Sequence, residues 1–209
     1  MSALEKISNS KWVKQLFPSC IWSLKDNGDK VIYLTFDDGP ISDVTPWVLK
    51  TLDDYKAKAT FFCIGSNVIK NKNIYTDIIT SGHAVGNHTQ HHLNGWKTLF
   101  REYISDVNAC DELVHSNLFR PPYGKLKPMQ LHTLVKKYNV IMWSFLTGDY
   151  LATLNCDEVF ENMREKIKTG DIIVFHDSLK AEKNLKYLLP KVLHYFSHQG
   201  YVFKAIHLN

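Results

Sequence analysis

Val31-Ile32-Tyr33-Leu34-Thr35-Phe36-Asp37-Asp38-Gly39-Pro40 is the stretch that decides how this chain folds. Its first four residues form an apolar run of the kind expected for a strand buried on both faces. Two adjacent carboxylates follow. Each opposes the ionisation of the other unless a cation sits beside them. Gly39 and Pro40 then enforce a turn. Neighbouring side chains on a strand point to opposite faces. A turn starting here can bring both acids into one cleft with different tasks, one on a metal and one free as a base.

Outward from this stretch, short apolar segments alternate with longer amphipathic ones. Further strands are expected over 60–64, 84–86, 118–119, 140–145, 171–175 and 201–203, and helices over 42–55, 67–80, 95–116, 128–138, 157–168 and 183–198. That alternation argues an α/β fold with a mostly parallel sheet. About seven parallel strands suit a distorted, incomplete (β/α) barrel. A doubly wound open sheet is the alternative, but no Gly-x-Gly-x-x-Gly follows the first strand. The unusual polar clusters all fall at the C-terminal ends of expected strands, the end that carries the active site in parallel barrels. Residues 1–30 read as an N-terminal wrap or extension, with a short amphipathic turn over 11–17, and residues 31–209 as the catalytic domain.

The composition bounds the partners. Of the 209 residues, 44% are hydrophobic and 22% charged, which fits a packed domain and not a disordered chain. The 25 basic residues give a net charge of only +4 and form no run, so no nucleic-acid partner is expected. No apolar stretch approaches the length of a membrane span. Cys20, Cys63, Cys110 and Cys156 are widely spaced and read as free thiols, which leans intracellular. No signal peptide is evident, so the sequence as given reads as cytoplasmic. A leader already removed would make the protein extracellular or periplasmic.

Four clusters carry chemistry. His88 and His92 are four apart, and on a helical turn they would share one face, as a divalent metal requires. His91 offers a rival pairing with His88. Two histidines and one carboxylate leave a position open for water, as in catalytic zinc sites. They suit Zn2+ and admit Co2+ or Ni2+. His83, just before a strand, reads as structural. Arg120 sits on a proline-set turn in Arg120-Pro121-Pro122-Tyr123-Gly124 and is placed to hold a catalytic carboxylate. His176 ends a strand and can act as a general acid. Asp149 is placed to fix its tautomer and raise its pKa.

With these motifs in order, the chain resembles the polysaccharide deacetylase family, carbohydrate esterase family four. Thr35-Phe36-Asp37-Asp38-Gly39-Pro40, His88-Thr89-Gln90-His91-His92 and Arg120-Pro121-Pro122-Tyr123 match the first three family motifs in full. The resemblance implies a distorted (β/α) barrel and metal-dependent removal of N-acetyl groups from N-acetylated glycans of chitooligosaccharide or peptidoglycan type. It implies Asp37 as general base, Asp38, His88 and His92 as metal ligands, Arg120 as the group orienting Asp37, His176 as general acid and Asp149 as its tuner. The backbone N–H of Tyr123 would help hold the oxyanion. Two motifs depart. Where the family carries Asp-x-x-Asp-Trp, this chain reads Leu146-Thr147-Gly148-Asp149-Tyr150, and Val174 replaces the Leu of Leu-x-His. Tyr150 and Val174 would then line the acetyl pocket with a changed shape. Tyr123, Trp143, Tyr150 and Trp96 are groove candidates by residue type, with Trp143 expected in buried packing. A metal-dependent amidase or esterase on another substrate, or an inactive glycan binder that keeps the metal, are the rival readings.

Overall fold

A computed structural model describes residues 15, 17–25 and 28–208. In chain order the elements are β1 Cys20–Ile21, β2 Val31–Asp37, α1 Thr45–Asp54, β3 Thr60–Cys63, α2 Gly65–Lys70, α3 Lys72–Thr80, β4 Ala84–Asn87 and α4 Phe100–Val114. Then come β5 Leu118–Phe119, α5 Pro128–Leu134, β6 Asn139–Ile141, β7 Phe145–Leu146, α6 Cys156–Lys166, β8 Ile172–His176, α7 Glu182–His198 and β9 Val202–Phe203. The strands run β1-β6-β5-β4-β3-β2-β8-β7, with β9 added beside β2. Every strand pair is parallel. Among the described residues β1 and β7 do not pair, so the sheet curls into a barrel without closing.

The alternation of side chains along the strands builds two layers. Ile32, Leu34 and Phe36 of β2 join Phe61, Cys63, Ile173 and Phe175 in a core shared with Val48 and Leu52 of α1 and Leu188 and Val192 of α7. The opposite parity, Phe62, Leu118, Ile141, Leu146, Ile172 and Val174, fills the barrel interior with Tyr33 packed against it. A third cluster of Tyr103, Val107, Phe119 and Val140 seats α4 on the sheet. Each large apolar side chain so buried contributes roughly 1.5–3 kcal/mol. A slip of one residue in β2 would exchange the layers, so burial fixes the register. Inner parity continues from Tyr33 through Thr35 to Asp37, and Asp37 pairs in register with His176 of β8.

Among the described residues the sheet has nine strands, where about seven are expected from the sequence. β1 comes from the N-terminal extension and adds to the edge at β6. Beside it Trp22 is buried in the inner cluster, and Leu24 N–H donates to Gly170 O at 2.8 Å. The amphipathic turn expected over 11–17 lies outside the described residues except at Gln15 and Phe17. The single strand expected over 140–145 is two. Met142 N–H bonds to Ile21 O of β1 at 2.7 Å, whereas Ser144 N–H bonds to Ile172 O at 3.0 Å. The chain therefore leaves one edge of the sheet and joins the other within three residues.

Two helices also differ from expectation. The helix expected over 67–80 breaks at Asn71, whose side-chain amide donates to Pro40 O at 3.0 Å and to Asn67 O at 3.2 Å. The helix expected over 95–116 starts only at Phe100. Gly95 packs where a Cβ would stand 2.3 Å from Lys125 O, which ties the preceding loop to the turn after β5. Among the described residues no helix is long and apolar enough to cross a membrane.

Candidate active site

Asp37 is the last residue of β2 and faces inward. Arg120, one residue past β5, is completely buried and crosses the interior to meet it. Its Nη1 donates to Asp37 Oδ1 at 2.7 Å and to Thr35 Oγ1 at 2.7 Å. Its Nε donates to Ile141 O at 3.1 Å and its Nη2 to Met142 O at 3.0 Å. The guanidinium lies over the Phe62 ring, 4.1 Å from the centroid. A buried cation with this many acceptors is satisfied, and it fixes where Asp37 points.

Asp38 turns the other way. Its φ is 84°, a left-handed conformation that non-glycine residues seldom adopt. Asn67 holds it there by donating to Asp38 O at 2.7 Å. Asp38 Oδ1 then lies 3.2 Å from His92 Nε2 and 3.8 Å from His88 Nε2. His88 Nδ1 sits 2.7 Å from Arg120 O. A carbonyl only accepts, so Nδ1 carries the hydrogen and Nε2 presents its lone pair to Asp38. Burial pushes His88 down to about 4 and keeps it neutral. Burial opposes the Asp38 carboxylate, but the imidazoles of His92, His176 and His88 outweigh it and hold Asp38 well below the usual range. The three ligand atoms lie within 4.8 Å of one another, and Asp38 Oδ1 is buried without a hydrogen bond. An orphaned oxygen facing two imidazole nitrogens fits a divalent cation of the borderline type.

His176 ends β8. Its Nδ1 lies 2.7 Å from Asp149 Oδ1, and its backbone N–H donates to Asp149 Oδ2 at 2.8 Å. Burial would depress this imidazole, but the fully buried Asp149 carboxylate more than compensates and raises it to about 9. His176 is a cation at neutral pH. Asp37 and His176 thus stand on adjacent strands, one a carboxylate and the other a proton donor, beside the Asp38 group. A cleft of about 430 Å3 opens over them, walled by Trp143, Leu146, Tyr150 and Val174 on one side and Tyr123 on the other.

A model of the polysaccharide deacetylase family matches residues 24–143, more than half of the chain. The chain is 31% identical over 203 residues to a peptidoglycan-N-acetylglucosamine deacetylase of Bacillus cereus, covering 92% of this chain and 94% of that protein. It is 34% identical over 161 residues to a chitooligosaccharide deacetylase of Azorhizobium caulinodans, covering 73% and 76%. The solved structure of the peptidoglycan deacetylase PdaC of Bacillus subtilis superposes with a TM-score of 0.77 at 26% identity, covering 87% and 90%. The chain belongs to the polysaccharide deacetylase family. Its curled sheet of parallel strands is the incomplete barrel of that family, and it is a polysaccharide deacetylase enzyme.

Against this deacetylase framework, Asp37, Asp38, His88, His92, Tyr123, Tyr150, Val174 and His176 line the cleft, and Arg120 and Asp149 lie directly behind it. His92, and not His91, stands beside Asp38 and His88. His91 turns away, with Nδ1 2.6 Å from Asp106 Oδ1 and a largely exposed ring. The helical turn expected to carry His88 and His92 is absent, and a loop stands in its place. Thr89 and His92 both have positive φ, at 64° and 56°. Asn87 organises this loop. Its amide donates to Val107 O and its Oδ1 accepts from Thr89 N–H, each at 2.9 Å. Tyr123, at φ 60°, sets its ring centroid 4.6 Å from that of His92, with the two planes tilted by 57°. His83 is structural as expected, its Nδ1 accepting from Ala59 N–H at 3.1 Å. Trp143 is buried but still walls the cleft. Trp96 is exposed on the rim, beyond the cleft lining.

Sequence reasoning missed the deacetylase's supporting carboxylate, Asp177. Buried completely, it accepts from Gly39 N–H at 3.0 Å and from Thr45 Oγ1 at 2.6 Å, and its own N–H donates to Asp37 O at 3.1 Å. Burial raises it to about 8. It clamps the turn on which Asp37 and Asp38 diverge, and a Cβ at Gly39 would lie 2.0 Å from its Oδ2. Asn184 of α7 was also missed; it donates to Asp149 O at 2.8 Å and Leu151 O at 2.9 Å, bracing the acid's partner. No spacing in the sequence points to either residue.

Proposed function

We propose that the protein is a metal-dependent hydrolase that removes N-acetyl groups from N-acetylglucosamine-containing glycans and releases acetate. One observation carries the reading: Asp37 and His176 face each other in register across β2 and β8, beside an Asp38–His88–His92 set with an orphaned buried oxygen. The names of the relatives, which act on peptidoglycan or on chitooligosaccharides, support the substrate class.

In this reading Asp38, His88 and His92 hold a divalent ion, and the two imidazole nitrogens and one carboxylate favour Zn2+, with Co2+ or Ni2+ as substitutes. When bound, the ion polarises the acetamide carbonyl and lowers the pKa of water. Asp37, oriented by Arg120, takes the proton of the water that attacks the carbonyl carbon. The backbone N–H of Tyr123, at the cleft lip, is assigned to the developing oxyanion, where one such donor contributes about 2.7–4 kcal/mol. His176 delivers its proton to the leaving amine nitrogen, and Asp149 holds the imidazole in the required tautomer. Tyr150 and Val174, with Leu146, form the wall for the acetyl methyl group.

The test is acetate release from N-acetylglucosamine oligomers, peptidoglycan fragments and acetylated xylan, run after chelation and again after adding Zn2+ or Co2+. Metal-restored acetate from the amino-sugar substrates is the expected result. No acetate from any amino sugar, with the metal shown bound by spectroscopy, overturns the reading.

A further inference from the structure

Two lysines reach the cleft from opposite sides. Lys125 follows the Tyr123-Gly124 lip, and Lys180 lies four residues past His176; both line the cleft. Each is carried on an aromatic ring at the rim. Lys125 Nζ is 5.1 Å from the Trp96 centroid, and Lys180 Nζ is 5.6 Å from that of Tyr150. The Trp96 ring is itself pinned, its Nε1 donating to Leu126 O at 3.2 Å. Among the described residues neither ammonium is ion-paired, although other surface lysines are, such as Lys137 with Asp111 and Lys186 with Glu182.

The carboxylates lining the cleft are Asp37 and Asp38, both on its floor. Asp37 is held by Arg120, and Asp38 faces two imidazoles. The wall residue Leu146 is apolar and adds no charge to the cleft. Above the floor the field is therefore positive at both ends, and walls of low dielectric concentrate it. Placing two unpaired cations across one groove is unfavourable in the free protein unless a ligand supplies negative charge.

We propose that Lys125 and Lys180 select carboxylate-bearing N-acetylated glycans over neutral ones by pairing with acidic substituents on the sugars flanking the one that is deacetylated. This rests on the deacetylase reading above and names its substrate more narrowly.

The experiment compares two peptide-free oligosaccharides of equal length. One contains N-acetylglucosamine alone, and the other carries an ether-linked carboxylate on alternate sugars. With the zinc-loaded protein, kcat/KM for the acidic oligomer should exceed that for the neutral one by about 10-fold at low salt, chiefly through KM, and the ratio should shrink toward one as salt screens the pairing. The double variant Lys125→Gln/Lys180→Gln should bring the ratio close to one, and Lys125→Glu/Lys180→Glu should invert it. Both positions are accessible to solvent, and an unchanged unfolding midpoint verifies folding. Acetate from the neutral oligomer with no advantage for the acidic one, or an advantage that survives both variants, overturns the selection and leaves the deacetylase reading standing. Acetate from neither substrate overturns both.

Discussion

The two halves of the site are built in different ways. The candidate proton-transfer half, Asp37 and His176, sits on paired strands whose register is set by buried side chains on both faces. The candidate metal half, Asp38, His88 and His92, sits at strand ends and on loops. Of the six non-glycine residues with positive φ among the described residues, four (Asp38, Thr89, His92 and Tyr123) surround that half. Such conformations cost about 1–3 kcal/mol each and persist only where neighbours over-determine them. The hydrogen bonds of Asn67 and Asn87 do this here. Packing against the sheet positions the groups that would move protons, and local hydrogen bonds position the groups that would hold a cation.

The largest effect expected from this division is on turnover. Asp37→Asn should lower kcat by about 10²–10⁴-fold while the protein still takes up one equivalent of Zn2+ in a titration. Loss of zinc in that variant would break the division, because it would make Asp37 a ligand. His176→Ala should fall by a similar factor on acetamides and much less on activated acetate esters, whose leaving groups need little protonation. Equal losses on both would remove the acid role.

Next comes stability. Arg120→Met leaves Asp37 buried without its cation, so urea unfolding should show a loss of about 3–5 kcal/mol. A loss below about 1 kcal/mol would mean that the strand half does not depend on this pair. The pH dependence follows in size. The folded His176 value of about 9 lies above its ordinary 6.5, so the protonated form is favoured by folding. That contribution is fully present below about pH 6.5 and is lost as pH rises through 9. Turnover should lose its acid over the same range, and Asp149→Asn should move the alkaline limb of the rate profile to lower pH. A limb that stays in place would separate Asp149 from proton delivery.

The smallest effect belongs to the loop half. Asn87→Ala removes the bonds to Val107 O and Thr89 N–H. Zinc affinity should fall about 10–100-fold, as for other residues that orient ligands, while kcat at saturating zinc changes little. A large change in kcat with unchanged affinity would show that the loop serves the reaction and not the cation.

How much of this was legible in the sequence follows the same division. The apolar run before Asp37 and the strand before His176 identify both inner positions, because period-two alternation is a property of the backbone. Spacing alone left His88 with either His91 or His92, and the family resemblance chose His92; the structure sets His92 beside Asp38 on a loop, and not on the helical turn that the spacing suggested. Side-chain bonds from Asn87 and Asp106 shape that loop, and such bonds connect residues up to 20 apart with no periodic trace. The same limit hid Asp177, whose partners Gly39 and Thr45 lie more than 130 residues away. It also hid the break at 142–144, where an apolar stretch reads as one strand although its backbone bonds go to β1 on one side and β8 on the other.

Arg120 has a consequence for how the chain can change over generations. The same guanidinium neutralises Asp37 and closes four hydrogen bonds inside the barrel. A lineage that abandoned catalysis by losing Asp37 would still carry a buried cation that the interior must satisfy, and a lineage that lost Arg120 first would pass through an unpaired buried acid. The first path leaves Arg120 its bonds to Thr35, Ile141 and Met142, whereas the second strands a buried acid. Selection on folding therefore holds Arg120 more tightly than Asp37, and a descendant that no longer deacetylates anything would be expected to lose the acid and keep the arginine.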